Sequence, residues 1–321
     1  MLPKKPHLGI VSLAKHADTD AGVIDEGPYT YEHLVAKDVI WAPPSGRLGH
    51  GEFSYGGTAL RERAEAFLIH FGLSGDPLDT HLLSLSRALE EAGYPVLNSF
   101  EFTWTCGDKH FALERARSLG IPTPKTLLAK PTGRNVPDVV STVEGELSYP
   151  LVVKPRGTMK GFGVIKVTDR DLLVSTLQLY SASGMSCLVQ EFIESGGREV
   201  RCFYAGGELL GIYDRRRDHS KFIGVATPRV GQGSDVTVSC LDTDLPEARE
   251  LMSSCEKLLA GFTWDLAAID WFGSERGLVL NEINTVPGIY SMPEADRVIF
   301  HERVADAIQR RSTSSTHTAG V

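Results

Sequence analysis

Residues 278–288, LVLNEINTVPG, run as a strand into a turn. Leu278, Leu280, Glu282 and Asn284 share one parity, so an unbroken strand puts them on one face. A face that begins with two leucines and ends with a carboxylate and an amide has two readings. Either the strand leaves the core and its end is solvated, or Glu282 and Asn284 are oxygen ligands aimed at a hard cation. The stretch LAAIDWF, residues 266–272, has the same character, a strand whose apolar face ends on Asp270. If the two strands are neighbours, all three side chains converge. Each residue alone reads more readily as a surface polar group; the three in this pattern favour a metal site.

A second constellation is KPRGTMKGFGV, residues 154–164, which lies between two strands. Gly157, Gly161 and Gly163 free the backbone to wrap phosphate oxygens, and Lys154 and Lys160 add positive charge. No G-x-x-x-x-G-K-[ST] match occurs, and no G-x-G-x-x-G precedes a helix, so neither a Walker loop nor a dinucleotide turn is present. The glycines alone read equally well as a hairpin. A lysine that ends the apolar strand LVVKP favours phosphate.

Two further runs carry polar chemistry. LVQEFIESGGREVR, residues 188–201, is a strand whose backbone at Glu191, Phe192 and Ile193 can meet an adenine edge. Glu199 can take ribose hydroxyls, although Glu199 with Arg201 also reads as a solvated strand face. YDRRRDHSKF, residues 213–222, places Arg215, Arg216, Arg217 and Lys221 near a strand end. That suits a carboxylate or phosphate substrate and equally a charged turn.

The bulk properties narrow the class. A chain of 321 residues can bury a core in two or three subdomains. No apolar run approaches the ~18 residues that span a membrane, and the N-terminus does not read as a signal peptide. The net charge, 33 − 41 = −8, argues against broad binding of nucleic acid or of an anionic membrane surface. Five scattered cysteines without a C-x-x-C favour reduced thiols and a cytoplasmic location. Helices are expected over GTALRERAEAFLIHFGL, DTHLLSLSRALEEAG, DKHFALERARSLG, RDLLVSTLQLYSAS and PEARELMSSCEKLLAGF. Strands are expected over LGIVSL, YPVLN, KTLLA, LVVKP, GVIKV, CLVQEFI, a hairpin turning at Gly206-Gly207, LAAIDWF and GLVLNEIN. The order is α/β first, then a mostly antiparallel α+β half.

Together CGDKHFALERARSLGIPTP, VVKPRGTMKGFGVIKV, VQEFIESGGREV and AAIDWF…LVLNEINTVPG resemble the ATP-grasp superfamily, over about residues 98–305. The last motif is similar to D-alanine–D-alanine ligases. QEFI followed by EVRCF is similar to RimK-like amino-acid ligases. The resemblance implies an ATP-grasp fold with an N-terminal α/β domain (1–100), a central subdomain with the glycine-rich lid (101–187), a C-terminal subdomain with the metal site (188–310) and a disordered tail (311–321). It implies an ATP-dependent ligase that joins a small-molecule carboxylate to an amine through an acyl phosphate, with a RimK-like ligase of proteins or cofactors, or a nucleotide-binding protein without turnover, as alternatives. Lys109 and Lys154 would contact nucleotide, the Arg156–Gly163 loop would close over the phosphates, and Gln190 to Ile193 would hold adenine. Glu199 would hold ribose, and Asp270, Glu282 and Asn284 would carry two magnesium ions, with manganese as a substitute. A homodimer is compatible with this reading. The sequence departs from D-alanine–D-alanine ligases at Ala268, where they carry an arginine, and Ser291 lies at a different distance from the PG turn. D-Ala–D-Ala synthesis is therefore disfavoured, and Arg229, or Arg215 with Arg217 and Lys221, is expected to supply the charge. Residues 1–97 match no substrate domain.

Overall fold

The computed structural model describes residues 5–12, 28–42, 52–70, 80–156, 161, 163–217, 236–289 and 292–318. The N-terminal part is α/β. Strands β1 (His7–Ser12), β2 (Thr30–Val35), β6 (Ala66–His70) and β7 (Val96–Leu97) form a parallel sheet in the order β2-β1-β6-β7. A small antiparallel sheet of β3 (Val39–Ala42), β4 (Glu52–Tyr55) and β5 (Thr58–Ala59) lies beside it. Helix α1 is limited to Leu60–Arg63, and α2 spans Thr80–Glu91. The long helix expected over residues 57–73 is therefore corrected. Ala66 to Ile69 form a continuous buried run in the parallel sheet. Such a strand is apolar on both faces and lacks the alternation that separates strand from helix.

Helices α3 (Phe100–Gly107) and α4 (Lys109–Ser118) lead into the central unit. Its sheet has the order β10-β9-β11-β8, from β8 (Thr126–Ala129), β9 (Leu151–Pro155), β10 (Ile165–Val167) and β11 (Cys187–Glu191). Helices α5 (Val136–Glu146) and α6 (Arg170–Ser183) cover one face, where Val140, Leu173 and Leu177 pack against Leu151, Val153 and Val189. Lys154, Leu188 and Gln190 have the opposite parity and look away from those helices.

The C-terminal sheet is antiparallel, in the order β14-β13-β12-β15-β16. Its strands are β12 (Arg198–Ala205), β13 (Glu208–Arg217), β14 (Val236–Cys240), β15 (Leu266–Ser274) and β16 (Gly277–Asn284). Gly206 and Gly207 take positive φ at the β12–β13 turn, as the hairpin requires. One face, with Val200, Cys202, Ile269 and Trp271, packs on α3, α4 and α7 (Pro246–Leu259). The other, with Phe203, Tyr213 and Ala268, packs on α8 (Glu294–Thr318) and on Leu8, Ala66 and Leu97 of the N-terminal sheet. The tail expected to be disordered from residue 311 continues α8 to Thr318, and Arg311 Nε donates to the buried Asp265 at 2.9 Å.

Asn98 fastens these parts together. It is buried and left-handed at φ 65°. Its Oδ1 accepts from the N–H groups of Asp265 (2.8 Å) and Leu266 (2.9 Å), and its Nδ2 donates to Leu266 O (3.0 Å) and Thr285 O (2.6 Å). These bonds pin the start of β15 to the end of β16. Asn98→Ala leaves several buried polar groups unpaired and keeps a side chain at positive φ. Its expected cost is about 3–5 kcal/mol, read from the denaturation midpoint, with Asn98→Gly about 1 kcal/mol milder.

Candidate active site

The acidic set converges, but by a different route from simple strand alternation. Asp270 pairs with Glu282 across β15–β16, while the next residue, Trp271, pairs with Leu280, so Asn281 is an inserted bulge residue. Leu280 and Ile283 both face the core beside α7, with Leu278 packed against it. The expectation that Leu278, Leu280, Glu282 and Asn284 share one face is therefore corrected: the bulge switches parity between the leucines and the polar pair. Glu282 and Asn284 emerge on the face of Asp270, with Asn284 Nδ2 3.0 Å from Asp270 Oδ2 and 3.3 Å from Glu282 Oε1.

Two lysines meet this set. Lys109, at the first position of α4, places Nζ 3.5 Å from Glu282 Oε2. Asp108 caps that helix by accepting from His110 N (2.8 Å) and pairs with Arg156 (2.7 Å) at the root of the glycine loop. Lys154 lies near the end of β9, is 5% exposed, and its Nζ lies 3.3 Å from Asn281 Oδ1. Burial pushes the Lys154 pKa down to about 8, with Glu282 opposing and Lys109 reinforcing the fall. Burial also opposes the charge on Glu282, but Lys109, Lys154 and Arg201 outweigh it and hold that carboxyl below its ordinary range.

Arg201 is the residue that sequence reasoning passed over. It is the cross-strand partner of Asp270 and grips it with Nε on Oδ1 and Nη2 on Oδ2. Burial works against its charge, yet Asp270 offsets this and keeps its pKa above the ordinary value. A signal was available: Glu199, Arg201 and Phe203 share one parity, and the face that holds Phe203 is buried. Arg215 and Arg217 stand beside Glu199, at 3.8 and 3.4 Å. Arg215 is mostly buried, and its Nε has no hydrogen-bond partner among the described residues. Its pKa is lowered by burial and by neighbouring Arg201. Ala268 is fully buried against Phe203 and so offers no charge.

The residues expected on the adenine side make these contacts. Gln190 is buried and donates to Thr126 Oγ1 at 2.8 Å. Glu191 Oε1 accepts from Lys125 N (2.9 Å) and Arg276 Nη2 (3.0 Å). The carboxylate is thus engaged by protein, and the backbone of Phe192 and Ile193 continues past it. Lys166 Nζ lies 3.7 Å from the centroid of the Phe192 ring, and Ile193 is buried. Tyr180, on α6, donates to Gly163 O at 3.0 Å and anchors the end of the glycine loop. Gly157, Lys160, Lys221, Arg229 and Ser291 lie outside the described residues.

The donor set suits a hard cation. Asp270 and Glu282 offer carboxylate oxygens, and Asn284 offers an amide oxygen once its NH2 is turned away from them. No group of three His, Cys, Asp or Glu occurs among the described residues, so the softer nitrogen–sulfur sites of zinc have no counterpart there. Phosphate would be met by Lys109 and Lys154. At pH 8 about half of free Lys154 is neutral, and bound phosphate would restore its proton. ATP binding is therefore expected to take up about half a proton at pH 8, more at higher pH and almost none below pH 7. Calorimetry in buffers of different ionisation heat measures this, and Lys154→Met should abolish it.

Comparison with known proteins shows the family and the fold. The RimK-like ATP-grasp domain family matches residues 107–308. A probable alpha-L-glutamate ligase of Haemophilus influenzae is 24% identical over 314 residues, covering 96% of each chain. Among solved structures, a VanG D-Ala:D-Ser ligase from Enterococcus faecalis superposes with TM-score 0.67 at 16% identity, over 96% of this chain and 100% of that one. A RimK domain ATP-grasp protein from Sphaerobacter thermophilus gives TM-score 0.63 at 18% identity, over 94% of this chain and 99% of that one. The alignments extend through the N-terminal sheet, for which the sequence had offered no counterpart.

Proposed function

The chain belongs to the RimK-like ATP-grasp family, and on that premise we propose that it joins an amino-acid or peptide carboxylate to an amine through an acyl phosphate. It is an ATP-dependent ligase that forms a C–N bond. The observation that carries the mechanistic reading is the meeting of two sheets: Lys154 of the central sheet reaches Asn281, and Lys109 reaches Glu282, beside Asp270 and Asn284.

Lys109 and Lys154 hold nucleotide phosphates, Glu199 takes ribose, and the Phe192–Ile193 backbone takes the adenine edge. Asp270, Glu282 and Asn284 would hold Mg2+, two ions or Mn2+ in their place, which would offset charge on the phosphates when bound. Arg201 fixes the orientation of Asp270. Arg215 and Arg217 hold the carboxylate to be activated, and then the oxyanion that forms when the amine attacks the acyl phosphate. Arg229 and Lys221 are further candidates for that charge. Glu191 and the end of the glycine loop, at Gly161 and Gly163, flank the nucleotide. No protein nucleophile is needed, because the acyl phosphate already has a good leaving group.

A second reading, a ligase that extends a protein or cofactor with an acidic amino acid, is favoured by the relative named as a probable alpha-L-glutamate ligase. A screen of carboxylate and amine pairs for ADP release, with mass spectrometry of products, separates the two. Free amino acids as acceptors support the first reading, and turnover only with peptides ending in acidic residues supports the second. Because Ala268 cannot hold an oxyanion, D-alanine alone is expected to give negligible D-Ala–D-Ala. Robust formation of that dipeptide would refute the Ala268 argument. No helix among the described residues is long and apolar enough to cross a membrane. We propose a cytoplasmic enzyme that acts on small molecules, and a homodimer is compatible with this reading.

A further inference from the structure

We propose that Asn281 is a positioning residue that holds the Lys154 ammonium where nucleotide phosphate is bound. This rests on the reading that Lys154 meets phosphate. Lys154 belongs to the central sheet and Asn281 to the C-terminal sheet, so their 3.3 Å contact spans the two walls of the site. A lysine ammonium sits on a flexible four-carbon stem, and a buried cation needs an acceptor to stay in one place.

The backbone is built to supply that acceptor. In a regular strand Asn281 would point to the face opposite Glu282. The bulge opposite Asp270 and Trp271 removes that constraint. Leu280 and Ile283 on either side go into the core, while the amide of Asn281 reaches Lys154 next to Glu282. The amide is also the right kind of acceptor. It orients the ammonium without neutralising it, which leaves the positive charge for an anionic ligand. A carboxylate at this position would compete with phosphate for the same charge. The bulge thus has a chemical consequence beyond re-aiming Glu282: it inserts one neutral acceptor between the metal-ligand strand and the phosphate lysine.

The test is a double-variant cycle on the full chain, with ATP KM and kcat measured for the parent, Asn281→Leu, Lys154→Met and the two combined. Leucine keeps the branched shape, with somewhat more bulk, and removes the acceptor. Asn281→Leu is expected to raise the KM for ATP about tenfold, in line with loss of one hydrogen bond to a charged group, while kcat falls less than about threefold. Lys154→Met should raise KM further, about thirtyfold, and the combined variant should match Lys154→Met alone, because Asn281 acts through the lysine. If Asn281→Leu keeps KM within about twofold of the parent while Lys154→Met is impaired, the inference fails and the phosphate reading stands. It also fails if the two effects multiply in the combined variant, which would mark a separate structural role. If Lys154→Met itself keeps the parent KM, the phosphate reading fails and takes this inference with it. Asn281→Ala repeats the test should leucine disturb folding, with calorimetric binding of a non-hydrolysable ATP analogue replacing KM if turnover is low.

Discussion

Glu282→Gln is expected to cut ADP formation about a thousandfold, or ~4 kcal/mol in the barrier, while the chain stays folded. The substitution keeps the shape of the side chain and removes its charge. That charge is present at neutral pH, because Lys109, Lys154 and Arg201 hold the carboxyl below its ordinary range despite burial. With the anion gone, a divalent cation would lose its carboxylate ligand from β16, and Asp270 is already gripped by Arg201. Metal-free ATP, by contrast, should bind at least as well as to the parent. The two lysines would then face the phosphates without the carboxylate that now offsets them. The opposite directions of the two effects separate loss of a metal ligand from general damage. ADP release and calorimetric titration of ATP with and without magnesium measure them, and turnover within tenfold of the parent would show that Glu282 is not a metal ligand.

The site's residue types were legible in the sequence, while its geometry depended on pairing between distant segments. Asp270, Glu282 and Asn284 stood out because polar groups at the ends of apolar strands invite a reason. The faces could not be assigned from β16 alone, since the bulge at Asn281 is defined only against Asp270 and Trp271 on the partner strand. Arg201 reads locally as a solvated residue next to Glu199. Its role follows from a register that brings it opposite Asp270, 69 residues further along the chain. The strand Ala66–His70 was hidden for a complementary reason, its burial on both faces. In the tail, Arg311 finds Asp265 only once α8 has packed against the C-terminal sheet, so local composition understated its order. The ATP-grasp fold was recoverable because its motifs occur in order, and a run of spaced motifs survives errors about individual faces.

Arg215→Gln should slow ligation about a hundred- to a thousandfold, ~3–4 kcal/mol, with little change in ATP affinity. Arg215 is a mostly buried cation next to a second cation, Arg201, and its ion-pair partner among the described residues is Glu199 at 3.8 Å, beyond hydrogen-bond distance. Its Nε lacks a hydrogen-bond partner among the described residues. Such a group is costly to the folded state unless an anion binds there. A purely structural arginine would resemble Arg198, which is satisfied by Asp214 at 2.8 Å and by both oxygens of Glu247 at 2.8 Å. By that contrast Arg198 holds α7 on the sheet, and Arg215 is our proposed holder of the substrate carboxylate and of the oxyanion that follows. Glutamine removes the charge and relieves the repulsion with Arg201, so the variant should be at least as stable as the parent while its ligation falls. Single-turnover product formation, thermal unfolding and ATP titration give the three readouts. A variant that loses stability and ligation together would place Arg215 with Arg198, among the residues that hold the sheet.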